Sequence, residues 1–268
     1  MKKKVYPRRG DIWHPADFAL AVEDEEDDQD DLMPKTSKTP APPLPAPSTN
    51  ATTTATKEPR EPRSHRAAQT RQRIITTATR LFAKRGYDGV SVDEIVSQAK
   101  VNKRMVYHYF DSKSGLFTEV LGTVFERLSH VETELFEDAP TPGRAIERII
   151  FAYFEFLQKN PEFVSLLLWE NLQGGKHLKQ LPLSVTKAPL LEKLGPAIEE
   201  GIASGEIRPD IDKRFMVVDL IGICLIHFSN RHTLARTVGL DFDDPRVLEE
   251  GVRHATALVR HGFLRKNA

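Results

Sequence analysis

Two bases, an imidazole and two phenols fall within seven consecutive positions: Lys103, Arg104, Tyr107, His108 and Tyr109. What these groups share is positive charge and hydrogen-bond donors, which suits a DNA groove. On a helix, Met105, Val106, Tyr109 and Phe110 anchor one side to a small core, leaving Lys103, Arg104, Tyr107 and His108 to face a polyanion. If that helix enters a major groove, its N-terminal residues lie nearest the base edges. Lys103 and Arg104 then hydrogen-bond guanine, Arg104 through two parallel bonds, while Tyr107 and His108, one turn on, reach phosphate oxygens.

Such a helix needs a start, a support and a stop. Asn102 is a good N-cap, and Asp111-Ser112-Lys113 ends the run. Just upstream, Ser91-Val92-Asp93-Glu94 reads as a capping box: the serine hydroxyl takes a free backbone amide and the glutamate reaches back to the amide of the cap residue. A helix therefore starts at Val92, with Ile95, Val96 and Ala99 as its apolar stripe. Only Lys100-Val101 separates it from Asn102, which makes a helix, a tight turn and a helix. A third helix is expected over 66–85, with Ile74, Ala78, Leu81 and Phe82 at helical spacing and Gly86 closing it in a left-handed cap. Ser91 and Lys113, each at a helix start, would add anion clamps.

These marks, in this order, resemble the DNA-binding domain of tetracycline-repressor-type transcriptional regulators. They are Leu81-Phe82-Ala83-Lys84-Arg85-Gly86-Tyr87, the Ser91 to Ile95 cap, Tyr107-His108-Tyr109-Phe110, and Lys113 followed by Leu116-Phe117. The turn between the second and third helices carries Lys100 where that family more often has glycine, at a backbone cost if positive φ is required there. The resemblance implies an all-α protein: a three-helix helix-turn-helix domain over 65–113, then a helical effector-binding and dimerisation domain over 114–268. It also implies that Tyr107 contacts the DNA backbone and that the last two helices pair with their symmetry mates.

Charge distribution agrees. Lys plus Arg equal Asp plus Glu at 38 each over the whole chain, yet 65–115 holds ten bases against four acids, a net +6 that would draw phosphate and make binding fall with salt. Cys224 is the only cysteine, so neither an intrachain disulfide nor a multi-cysteine metal knuckle can form. With no secretion signal and no apolar run of roughly twenty residues, a cytoplasmic protein away from the membrane is expected. No nucleophile elbow or His-Glu-x-x-His pair points to an enzyme, and no metal or cofactor is expected.

Residues 1–64 read as an unfolded extension, rich in Pro, Ala and Thr, with eight acids in nine positions from Glu23 to Asp31. That run is a solubilising tail or a competitor with DNA for the basic face. Beyond Lys113 the pattern is helical over 114–136, 143–158, 163–172, 185–203, 213–237 and 245–263. Aromatics in the middle helices suggest an effector pocket lined by Phe151, Phe154, Trp169, Glu170, Asn171 and His177, although core packing is the commoner use of such rings. For a homodimer interface, the apolar stripes offer Leu220, Cys224, His227, Leu248, Gly251, Ala255 and Leu258; ordinary intrachain core is the other reading. The reading that follows is a ligand-responsive regulator, a repressor in the first instance, acting on double-stranded DNA as a homodimer with a small-molecule effector. A DNA-binding protein without effector, controlled by a protein partner, stands beside it.

Overall fold

The computed structural model describes residues 63–136, 141–182, 185 and 189–265; the acidic run and the proline-rich stretch lie outside them. Among the described residues ten α-helices follow one another: α1 (Arg63–Arg85), α2 (Val92–Ala99), α3 (Lys103–Phe110), α4 (Lys113–Phe136), α5 (Pro142–Lys159), α6 (Pro161–Leu172), α7 (Pro189–Ser204), α8 (Lys213–Ser229), α9 (Arg231–Val238) and α10 (Pro245–Phe263). Helix α1 starts at Arg63, inside the extension expected to be unfolded. Beyond the helices, the β-like feature among the described residues is a single bridge, Ile207 to Leu264, which ties the loop after α7 to the end of α10.

Local chemistry explains most boundaries. Thr141, Asp212 and Asp244 cap α5, α8 and α10 by accepting the backbone N–H of Arg144, Arg214 and Arg246. Pro142, Pro161 and Pro245 occupy first-turn positions, where no intrahelical N–H bond is lost. Pro189 likewise begins α7, whereas Pro196 lies within it. The run expected as one helix over 213–237 is two, because Asn230 leaves helical geometry at φ −112° and ψ 12°. The chain turns back there, and Phe242 packs against His227 with ring centroids 5.1 Å apart.

Helices α1 to α3 pack on one another and on the first half of α4 through Ile74, Ala78, Phe82, Ile95, Val106, Phe110, Leu116 and Phe117, all buried. Helix α4 continues into a second core built on α5, whose Ile146, Ile149, Ile150 and Phe154 are fully buried and which meets α4, α8 and α10. Helix α6 leans on α1, so the small N-terminal helical head and the larger body meet along α4 and at α1 with α6. None of the described helices is long and apolar enough to cross a membrane.

Candidate nucleic-acid interface

Both caps of the helix-turn-helix form. Ser91 Oγ accepts the backbone N–H of Glu94 at 3.1 Å, and Asn102 Oδ1 accepts that of Arg104 at 2.9 Å. The Glu94 carboxylate does not complete the expected reciprocal bond; it pairs with Arg85 and accepts from Gln98 Nε2 at 3.3 Å. Lys100 takes the left-handed conformation, φ 52° and ψ 48°, so the turn does require a positive φ. Its successor Val101 closes the turn by donating to Val96 O at 3.0 Å.

Helix α3 turns Val106 and Phe110 into the core and leaves Asn102, Lys103, Arg104, Tyr107 and His108 exposed. Met105 and Tyr109 are half-buried, so the expected division of this helix into an anchoring side and an exposed polar side matches the observed burial. One of the exposed bases is engaged. Lys103 Nζ sits 2.7 Å from Asp93 Oδ1, and that carboxylate raises the lysine above its ordinary pKa. Arg104 makes no ion pair with any described residue. Lys113, at the start of α4, holds its ammonium 4.2 Å from the centroid of the Tyr87 ring.

The joint between head and body lies beneath that tyrosine. Gly86 adopts φ +71°, and a Cβ placed there would stand 2.9 Å from two ring carbons of Trp169. The indole donates its N–H to Ala83 O at 3.2 Å, locking α6 onto the end of α1. Next to it, Glu170 is completely buried: its carboxylate accepts the backbone N–H groups of His177 and Leu178, the latter at 2.9 Å, and lies 3.1 Å from His177 Nδ1. The His177 ring, also buried, packs on Tyr87 and Phe117 with centroids 4.6 and 4.7 Å away.

The six residues considered for an effector pocket therefore have different neighbours. Trp169, Glu170 and His177 belong to this joint. Phe154 is buried against His227 and Phe228 of α8, at 4.8 and 5.6 Å, and Phe151 is half-buried on the same helix as Phe154. Asn171 is exposed and donates its amide to Leu167 O. A buried polar pair that periodicity did not single out lies in the body: Tyr153 donates its hydroxyl to Glu132, and burial, reinforced by that carboxylate, holds the phenol well above its ordinary pKa. Neither residue type nor spacing marks Glu132, which faces inward only because α5 covers it.

Of the seven residues offered for a dimer interface, Leu220, Cys224, Leu248, Gly251 and Ala255 are buried within their own chain. Helix α5 is the reason. A Cβ on Gly251 would lie 3.2 Å from His227 and 3.6 Å from Phe154, so this glycine brings α10 close to its own subunit, and burial pushes the Cys224 thiol well up. His227 is half-buried and Leu258 is exposed. The apolar side chains left outside on α8 and α10 are Phe215, Val218, Ile226 and Leu258, between 43 % and 67 % exposed.

Comparison with known proteins agrees with this arrangement. Residues 74–120 match the family described as bacterial regulatory proteins, tetR family, and residues 142–259 match the tetracyclin repressor-like C-terminal domain. The HTH-type transcriptional repressor NicS of Pseudomonas putida is 32% identical over 200 residues, which span 74% of this chain and 94% of NicS. The chain belongs to the tetR family. This tetR-family chain is accordingly a DNA-binding transcriptional regulator whose reading head is the helix-turn-helix of α2 and α3. A solved transcriptional regulator from Streptomyces coelicolor, SCO4942, is 25% identical with a TM-score of 0.55, covering 72% of this chain and 98% of its own. FadR of Bacillus subtilis, solved in complex with stearoyl-CoA, shares the fold at 21% identity and a TM-score of 0.57, over 71% of this chain and 98% of FadR.

Proposed function

We propose that this regulator is a ligand-responsive repressor that binds a palindromic operator as a homodimer, with 65–113 as the DNA-binding domain and 114–268 as the effector and dimerisation domain. The observation that carries the reading is Arg104, exposed at the capped N-terminus of α3 and without an ion pair among the described residues, where a helix seated in the major groove presents its base-reading side chains. Asn102, Tyr107, His108, Ser91 and Lys113 flank it as positioning and phosphate contacts. Lys103 contributes less, since a base edge must compete with Asp93 for its ammonium. Dimerisation uses the outward face of α8 and α10 around Phe215, Val218, Ile226 and Leu258, a set of apolar groups suited to burial in an isologous interface. The effector is a small molecule held in the body; FadR, of the same fold, was solved in complex with stearoyl-CoA. Trp169, Glu170 and His177, which join body to head, pass its binding on to the reading helices.

Selecting bound duplexes from a random pool tests this directly. A two-fold palindrome supports dimeric reading; Arg104→Ala should then change which sequences are recovered, and a small-molecule screen should yield compounds that release the complex. Recovery of a single half-site without symmetry would refute the dimer, and an Arg104→Ala pool identical to that of the parent would refute the placement of α3. A second reading, control by a protein partner without effector, is favoured by Leu168 and Leu172, an exposed apolar pair one turn apart on α6, at 41% and 79% exposure.

A further inference from the structure

Two groups of bases in the head differ in their surroundings. Arg71 pairs with Glu119, Arg85 with Glu94 and Lys103 with Asp93, so these charges are balanced within the fold. Arg66, Arg73 and Lys100 are exposed and make no ion pair with any described residue, and all three line one cleft of about 790 Å3 between the first half of α1 and the end of α2. Gln69, Gln72 and Gln98 supply donors to the same wall, and no acidic residue among the described ones lines it. Three like charges facing one space repel one another until an anion enters.

Lys100 adds an independent sign. It occupies the left-handed turn at φ 52°, where glycine would fit without steric cost and a lysine is strained. In fold terms the side chain is dispensable: the turn is closed by backbone bonds from Lys100 and Val101 to Ser97 and Val96. The lysine thus carries a local strain and adds a third charge to a repulsive cleft, and both penalties are offset when that cleft holds phosphate.

We infer that the cleft of Arg66, Arg73 and Lys100 is a second DNA-backbone site, which grips the sugar–phosphate ridge beside the N-terminal end of α3 while α3 itself reads the groove. The position fits. Lys100 precedes the α3 cap Asn102 by two residues, so the cleft opens at the end of the reading helix that approaches the bases, where the ridge bounding the groove passes. The surface reads no sequence; it adds affinity and fixes register. This inference rests on the assignment of α3 to the groove, and its test separates the two.

The experiment measures duplex affinity against salt for the full chain, for Lys100→Gly, and for the triple variant Arg66→Gln, Arg73→Gln, Lys100→Gly, on the duplex recovered by selection. Each lost phosphate contact should lower the slope of log affinity against log salt by about 0.9, and the triple variant by about 2 to 3, equally on every duplex. Lys100→Gly should raise Tm by about 2–4 °C while weakening DNA binding, a pairing of opposite signs that a structural role for the lysine would not give. Ethylation of the phosphates beside the half-site should impair the parent and leave the triple variant unaffected. An unchanged slope in the triple variant, with Arg104→Ala still altering sequence preference, overturns the cleft and keeps the reading helix. A triple variant that alters sequence preference also overturns it, because the cleft would then be reading bases. Failure of the parent chain to bind any duplex overturns both.

Discussion

Replacing Gly86 by alanine tests the joint between head and body at its tightest point. Two effects combine. At φ +71° a Cβ meets the backbone strain that confines most residues to negative φ, about 1–2 kcal/mol, of which the stiffer unfolded chain returns about 0.4–1 kcal/mol. The new methyl also stands 2.9 Å from two carbons of the Trp169 ring and 3.3 Å from a third, well inside ordinary contact. The ring cannot swing aside without giving up its bond to Ala83 O, so overpacking of about 1–3 kcal/mol is expected. The net is a destabilisation of about 2–4 kcal/mol, which for a folded unit of this size lowers Tm by about 5–15 °C. Thermal unfolding followed by circular dichroism at fixed protein concentration measures it, since a dimer would make Tm depend on concentration. Repeating the substitution in a Trp169→Leu background divides the two effects: removing the ring should erase the overpacking and leave only the backbone strain, a coupling of about 1–3 kcal/mol. Equal costs in both backgrounds, or a drop below 2 °C in the parent, would show that Trp169 does not close on Gly86 as described.

Glu170→Ala strips the acceptor from two backbone N–H groups and from His177, and should destabilise by about 3–5 kcal/mol in urea titrations, with Glu170→Gln milder because one oxygen remains; equal effects of the two would count against the buried network. Phe215→Glu combined with Leu258→Glu puts charge on the outward face of α8 and α10 and should turn a dimer into monomers by sedimentation without lowering helix content; a dimer that survives would place the interface elsewhere. Burial holds the His227 imidazole below its ordinary value, with His254 adding to the effect. The unfolded chain then takes up a proton at higher pH than the folded one, so stability is intact above about pH 6.5 and falls as pH drops from there through the folded value. His227→Phe should flatten that acid-side fall in Tm between about pH 7 and pH 5, and an unchanged profile would assign the loss to other groups.

The reading head was largely legible because its determinants are local. Ser91, Asn102 and Gly86 act on backbone groups within a few residues, and the split of α3 into Val106 and Phe110 against Arg104, Tyr107 and His108 follows from helical spacing alone. Pairings between distant positions were not legible. Asp93 takes Lys103, Glu94 takes Arg85 and Glu119 takes Arg71, so three of the bases counted toward the field are balanced before DNA arrives. Lys100 is recognisable along the chain as a misfit in its turn, but only the fold brings it alongside Arg66 and Arg73, more than two dozen positions earlier.

The body shows the same limit in another form. Periodicity alone located α10 and its stripe of Leu248, Gly251 and Ala255, but a stripe does not say whether its own chain or a twin covers it; α5 does, through Phe154. Helix α8 is apolar nearly all round, with Leu220 and Cys224 inside and Phe215 and Val218 outside, so no pattern along the chain could choose its buried face. Caps, turns and spacing settled where helices begin, where they end and which faces are apolar, because those choices are made within a turn or two of backbone. Which apolar face closes on which partner, and which base keeps its charge free, was decided by packing among segments far apart in the chain, where burial and ion pairing depend on positions in space.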